Sequence, residues 1–191
     1  MADGTEGTEP DNRIVTDPRV RPVEDRDFDS IQRIYADAIV ATISSFELDP
    51  PSAAELRQRH GRLASAGYPY LIAEVDARIA GYCYAGPFRD RPAYRYTVED
   101  SVYVDRSFQR RSVGRRLLGA LIDDCEARGF RQMIAVIGGG ASTASARLHE
   151  RLGFVPVGTL ENVGWKFDAW QDVFLMQRLL GNSTQPAAPR S

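Results

Sequence analysis

The run Gln109-Arg110-Arg111-Ser112-Val113-Gly114-Arg115 follows an apolar strand-like stretch, Ser101 to Val104, and precedes a helical pattern from Leu117 to Ala127. Where a strand gives way to a helix, the first helical N–H groups lack internal acceptors and the helix dipole adds positive potential. A turn of small residues there forms an anion cradle. Arg110, Arg111, Arg115 and Arg116 strengthen the cradle, although a solvated basic helix start has the same composition. Glu99 lies inside an otherwise apolar strand segment, where desolvation raises a carboxyl group toward the range of a general base acting directly or through water. On an edge, the same carboxylate would simply face solvent. Arg89 and Arg91 sit in a proline-flanked loop beside Tyr94, a composition suited to gripping carboxylate or phosphinate oxygens; a surface loop whose arginines face water reads the same way.

The elements that must position these groups are legible from hydrophobic period and breakers. A short strand, Arg19 to Pro22, leads to a helix from about Asp27 to Ala41 with Phe28, Ile31, Ile34, Tyr35, Ala38 and Ile39 at helical spacing. Ser52-Ala53-Ala54-Glu55 has capping-box form and opens a second helix that ends near Gly67. Tyr70 to Val75 and Ile79 to Ala85 flank Asp76-Ala77-Arg78 as a hairpin, and a long strand from Tyr94 to Val104 pairs beside it. An amphipathic helix stops at Gly129, and Met133 to Ile137 is a fully apolar strand. A helix over Ser142 to Leu152 and strands over Phe154 to Leu160 and Val173 to Leu179 complete the chain. Antiparallel strands followed by strand-helix-strand units predict an α/β fold, a mixed sheet with helices on both faces in a three-layer α-β-α arrangement.

Composition narrows the function classes. A chain of 191 residues with 43% hydrophobic content fits one domain, here 17–180, between an acidic tail over 1–16 and a flexible tail over 181–191. The net charge of −2 conceals a basic cluster between residues 106 and 116, which suits a small phosphorylated ligand better than a nucleic acid. Cys83 and Cys125 make no disulfide framework, and with only His60 and His149 a histidine-rich metal centre is not expected. No apolar stretch approaches a membrane span or a signal peptide, so a soluble cytoplasmic protein is the simplest reading. Gly138-Gly139-Gly140 lacks both the spacing of a dinucleotide fingerprint and the Lys of a P-loop, and reads as a flexible strand exit.

The Gln109 run resembles the acyl-CoA pyrophosphate signature of the GNAT N-acetyltransferases, with Gln109 and Gly114 matching and Ser112 in place of the first Gly. Ser keeps the turn tight but lacks the freedom of Gly at positive φ. Further segments narrow the resemblance to the phosphinothricin and methionine sulfoximine acetyltransferases: Ser45-Phe46, Tyr84 to Tyr94, Tyr96 to Val104, Arg147-Leu148-His149-Glu150, Gly164-Trp165-Lys166 and Trp170-Gln171-Asp172-Val173. The resemblance implies a GNAT fold, with a mostly antiparallel sheet splayed at the acetyl-CoA site. It also implies acetyl-CoA as cosubstrate without a metal, a small amino-acid analogue as acceptor, and a homodimer.

Carried residue by residue, the resemblance makes Glu99 the base that frees the amine lone pair. Backbone N–H groups of Val102, Tyr103 and Val104 become donors to the oxyanion and to pantetheine. Gln109, Arg110, Arg111, Ser112, Val113, Gly114 and Arg115 hold the pyrophosphate. Ser142, where an Asn is usual, and Ser145 lie along the pantetheine. His149 occupies the place of a Tyr acid that meets the departing thiolate, with simple packing under the sheet as the alternative. Arg89, Arg91, Tyr94, Tyr103 and Phe46 would contact the acceptor, while Lys166 and Trp170 close the far side. Other small amines, a protein N-terminus, or a non-catalytic acyl-CoA sensor are the competing functions.

Overall fold

The computed structural model describes residues 17–181, so the two expected tails lie outside the described residues apart from Gly181. Seven strands form one sheet in the order β1-β2-β3-β4-β5-β7-β6: β1 Arg19–Pro22, β2 Tyr70–Val75, β3 Arg78–Pro87, β4 Thr97–Val104, β5 Gln132–Gly138, β6 Val155–Lys166 and β7 Ala169–Leu179. Every neighbouring pair is antiparallel except β4 with β5. Helices α1 (Phe28–Ala41) and α2 (Ala53–Ser65) cover one face and α3 (Val113–Ala127) and α4 (Ala144–Arg151) the other. The three layers and the mixed sheet match the expectation, and no helix among the described residues is long and apolar enough to cross a membrane.

Two cores follow from the side-chain alternation of the strands. Phe28, Ile31, Ile34, Tyr35 and Ile39 of α1 pack on Ile72, Tyr82 and Tyr103 of the sheet. On the opposite face Leu117, Leu118, Leu121 and Ile122 of α3 pack on Ala73, Cys83, Val98, Met133 and Ala135. Ser52 caps α2, its hydroxyl accepting from the Glu55 amide at 3.2 Å, which is one half of the capping box, while the Glu55 carboxylate pairs with Arg59.

Three expectations need correction. The strand expected from Tyr94 begins only at Thr97, because Pro92 starts a 3-10 turn in which Arg91 and Pro92 carbonyls accept from Tyr94 and Arg95. Helix α4 begins at Ala144 rather than Ser142, since Thr143 is the residue whose hydroxyl accepts from the Ala146 amide, at 3.1 Å. The last two strands are much longer than expected. A register shift between Leu160 and Gly164 lets β6 continue past Leu160, with Asn162 at φ 55° and its amide donating to Asp172 Oδ1. β7 lies between β5 and β6, and the exposed apolar side chains Val155, Val157, Leu160, Val163 and Trp165 belong to β6.

Candidate active site

The sheet parts in the middle. The β4–β5 ladder runs only from Thr97–Gln132 to Asp100–Ala135, so from Ser101 onward the β5-facing edge of β4 has no β5 partner. A cleft of about 310 Å³ opens at this parting, bounded by Ser101, Val102 and Tyr103 of β4, Ala135 to Gly138 of β5, Ser145 and His149 of α4, and the Ile43–Phe46 segment after α1. Backbone groups on an unpaired strand edge are free to bond a ligand in extended conformation. The structure thus brings together Phe46, Glu99, Val102, Tyr103, Ser145 and His149, drawn from distant points of the sequence.

Glu99 and Asp100 are consecutive on a strand and therefore point to opposite faces at the parting. Glu99 is half-buried, and burial pushes its carboxyl up to about 7; the negative charge of Asp100 adds to the rise, while the Arg89 guanidinium opposes it. A carboxyl group in that range takes and returns protons at neutral pH.

On the other face Asp100 meets His149, with their side chains only 2% and 4% exposed. His149 Nδ1 lies 2.7 Å from the Ser145 carbonyl, which can only accept, so Nδ1 carries a hydrogen. Its Nε2 lies 2.9 Å from Asp100 Oδ2. Burial works to lower the imidazole pKa, but the hydrogen bond and charge of Asp100 outweigh it, and His149 is raised. The pair is an imidazolium–carboxylate pair. Both ring N–H groups are spent on oxygens, so the His149 expected as a proton donor stands here as a fixed positive charge lining the cleft. Asp100 was not among the expected site residues; as one acidic residue beside another in a strand, it carries no signal of its partner 49 positions later.

Beyond β4 the chain turns through Arg106–Phe108 into the basic loop. Asp105 anchors that turn, accepting from the Ser107 amide at 2.9 Å and pairing with Arg33 at 2.7 Å. Phe108 is buried as a plug, with the Arg78 and Arg111 guanidinium carbons 5.2 and 5.5 Å from its ring centroid. Arg110 and Ser112 both take left-handed backbone, at φ 59° and 61°, and α3 begins at Val113. Val113 is buried, so only its backbone can serve a ligand, whereas Gln109, Arg110, Ser112 and Arg115 are exposed. Arg116 pairs with Asp17.

The missing Gly is therefore felt as strain rather than as a different turn, since Ser112 adopts the conformation that Gly would adopt freely. Ser112→Gly is expected to stabilise the chain by up to about 1 kcal/mol, the greater freedom of Gly in the unfolded chain offsetting part of the relief. A higher Tm is the expected outcome, measured by thermal melts of the variant beside wild type.

Several expected residues lie elsewhere. Arg91 and Tyr94 are exposed on the 3-10 turn, outside the cleft lining, with Tyr94 edge-on to Phe88 at 5.7 Å. Arg89 is exposed beside Phe88 and reaches the site through its field on Glu99. Ser142 is exposed ahead of α4, its carbonyl accepting from Arg147. Lys166 does not line the cleft; it is buried, and its ammonium donates to the Ser45 carbonyl at 2.6 Å. Trp170 packs edge-on to Trp165, 5.3 Å away, and is 60% exposed.

A parted sheet with a helix-capped basic loop at one end and a raised carboxyl group at the other is a site for group transfer from an extended, phosphorylated cosubstrate. Residues 29–154 match the acetyltransferase (GNAT) family. The chain is 46% identical over 169 residues to a phosphinothricin N-acetyltransferase of Alcaligenes faecalis, covering 87% of this chain and 86% of that one. It is 37% identical over 152 residues to an L-methionine sulfoximine/L-methionine sulfone acetyltransferase of Pseudomonas aeruginosa, covering 79% and 88%. The crystal structure of a phosphinothricin acetyltransferase from Sinorhizobium meliloti in complex with acetyl-CoA superposes with a TM-score of 0.85 at 40% identity, over 89% of this chain and 93% of that one. The chain belongs to the GNAT acetyltransferase family.

Proposed function

We propose that this chain transfers the acetyl group of acetyl-CoA to the primary amine of a small amino-acid analogue of the phosphinothricin, methionine sulfoximine or methionine sulfone type. The observation that carries this reading is Glu99, a carboxyl group held near neutrality at the point where β4 leaves β5. The names of the most similar relatives supply the acceptor class. An ammonium has no lone pair, so Glu99 takes its proton directly or through water. The neutral nitrogen then attacks the thioester carbon, and the developing oxyanion is met by backbone N–H groups along Val102 to Val104. Collapse breaks the C–S bond as the nitrogen gives up its second proton, which passes through water to the sulfur leaving in the field of the His149 imidazolium, and Glu99 returns its own proton to solvent. Direct attack is favoured over an acetyl-enzyme because Cys83 and Cys125 are both fully buried and burial pushes both thiols up, Cys125 to about 12.

The unpaired β4 edge and the left-handed loop ahead of α3 fit the pantetheine and pyrophosphate of acetyl-CoA respectively. A homodimer and a cytoplasmic location belong to the same reading, supported by the exposed apolar side chains of β6 and by two unpaired thiols that suit a reducing compartment.

The test is CoA thiol release across a panel of phosphinothricin, methionine sulfoximine, methionine sulfone, spermidine and a protein N-terminal peptide. Turnover confined to the first three supports the reading; turnover of the peptide or spermidine alone overturns the acceptor, and acetyl-CoA binding without turnover overturns catalysis. Arg89→Ala is expected to leave the acceptor KM nearly unchanged, since the guanidinium lies outside the cleft lining and acts on it through its field. Because Arg89 holds the Glu99 pKa down, its removal moves the rising limb of the pH–rate profile to higher pH.

A further inference from the structure

Twelve residues of β6 run along the surface, and the one that is buried is a lysine, Lys166 at the end of the strand. A buried ammonium is costly unless fully used. Here it donates to the Ser45 carbonyl at 2.6 Å and lies 5.2 Å from the Phe167 ring centroid, while burial lowers its pKa against the opposing charge of Glu47. Two residues earlier Gly164 leaves room for the Phe46 ring, which a Cβ at that position would overlap. Ser45 is held from inside as well, with its hydroxyl 3.0 Å from the Tyr35 hydroxyl. These contacts fall on the Ile43–Phe46 segment, which forms one wall of the cleft beside Glu99. The hairpin therefore grips that wall at two neighbouring points, one polar and one steric.

We infer that Lys166 and Gly164 are positioning residues that set acceptor specificity by fixing the Ser45–Phe46 wall, without touching the acceptor themselves. The inference rests on the reading that the cleft receives the acceptor amine. It predicts an effect on the acceptor alone, because the loop ahead of α3 and the open β4 edge make no part of this grip.

Lys166→Met keeps the aliphatic stem and removes the donor; Gly164→Ala keeps Lys166 and displaces the ring. Each is expected to raise the KM of the best panel acceptor roughly tenfold, with kcat and the acetyl-CoA KM within about twofold of wild type. In a Phe46→Ala background the Lys166→Met effect should shrink, since both changes act on the same wall. Hydrogen exchange followed by mass spectrometry should show faster exchange over residues 42–48 in both variants. An unchanged acceptor KM, or a parallel rise in both KM values, overturns the inference. If Lys166→Met does not fold, Gly164→Ala decides the matter. If wild type turns over none of the panel, the functional reading fails and exchange alone decides: unchanged protection over 42–48 overturns the grip itself.

Discussion

Glu99→Gln is expected to bind acetyl-CoA as wild type does and to lose about 10²- to 10⁴-fold in turnover at neutral pH, the usual contribution of a positioned general base. Gln preserves shape and hydrogen bonding but cannot accept a proton. Isothermal calorimetry for acetyl-CoA together with thiol-release kinetics separates the two effects, and full activity in the variant would remove Glu99 as the base. In wild type the base form appears as pH rises through about 7, so kcat/KM should climb across that range. Stability should run the opposite way. The folded carboxyl titrates near 7 and an unfolded one near the ordinary glutamate value of 4.5, so between these values the folded state holds the extra proton. Wild-type stability thus falls as pH rises from 4.5 toward 7 on account of this group. Glu99→Gln should be more stable than wild type above pH 7 and gain little near pH 4.5, which thermal melts at the two ends would show. A site residue whose removal stabilises the fold is the signature of a carboxyl group buried for chemistry.

Asp100→Ala is expected to cost about 3 kcal/mol, because removing one partner of a buried ion pair leaves the other without its counter-charge. For a chain of this size that corresponds to a Tm lower by roughly 6–12 °C. The His149 pKa would fall, since burial lowers it and, with Asp100 gone, only the Ser145 carbonyl still opposes that effect. Titration of the ring by NMR should therefore move to lower pH. Asp100→Asn provides the control: its amide can donate to Nε2 of a neutral ring, while Nδ1 still donates to the Ser145 carbonyl. The Asn variant should retain most of the stability yet lose the fixed charge, so a drop in kcat there, at near-normal Tm, would assign the charge to the departing thiolate. If the Ala variant melts within 1 °C of wild type, the pair contributes nothing, and packing of the ring edge-on to Phe154, 4.9 Å away, holds α4 instead.

Local signals account for much of what the chain displays. The helical spacing from Phe28 to Ile39, the Ser52 cap, the Gly129 stop and the apolar run of β5 each depend on side chains within a few positions of one another, and each is found where its pattern lies. The basic turn before α3 is legible for the same reason, down to Ser112 standing where left-handed backbone is needed. Glu99 within a strand marks a raised carboxyl group, to which burial contributes most and its neighbour Asp100 adds. Elsewhere the local pattern falls short: the strand expected to end at Leu160 runs on to Lys166, because pairing with β7 carries β6 further.

What the residues of one segment cannot reveal is which remote group will meet them. The consecutive Glu99 and Asp100 become a base and an ion-pair partner only because a strand sends them to opposite faces of a parted sheet, one toward the Arg89 field and the other toward His149. Lys166 is expected on the far side of the acceptor, yet it is buried outside the cleft lining with its ammonium on a carbonyl 121 residues away. Type, spacing and period are local properties and so survive in the sequence. Burial, partner and field depend on how the layers stack, and these decide which of its charged residues do chemistry and which hold the others in place.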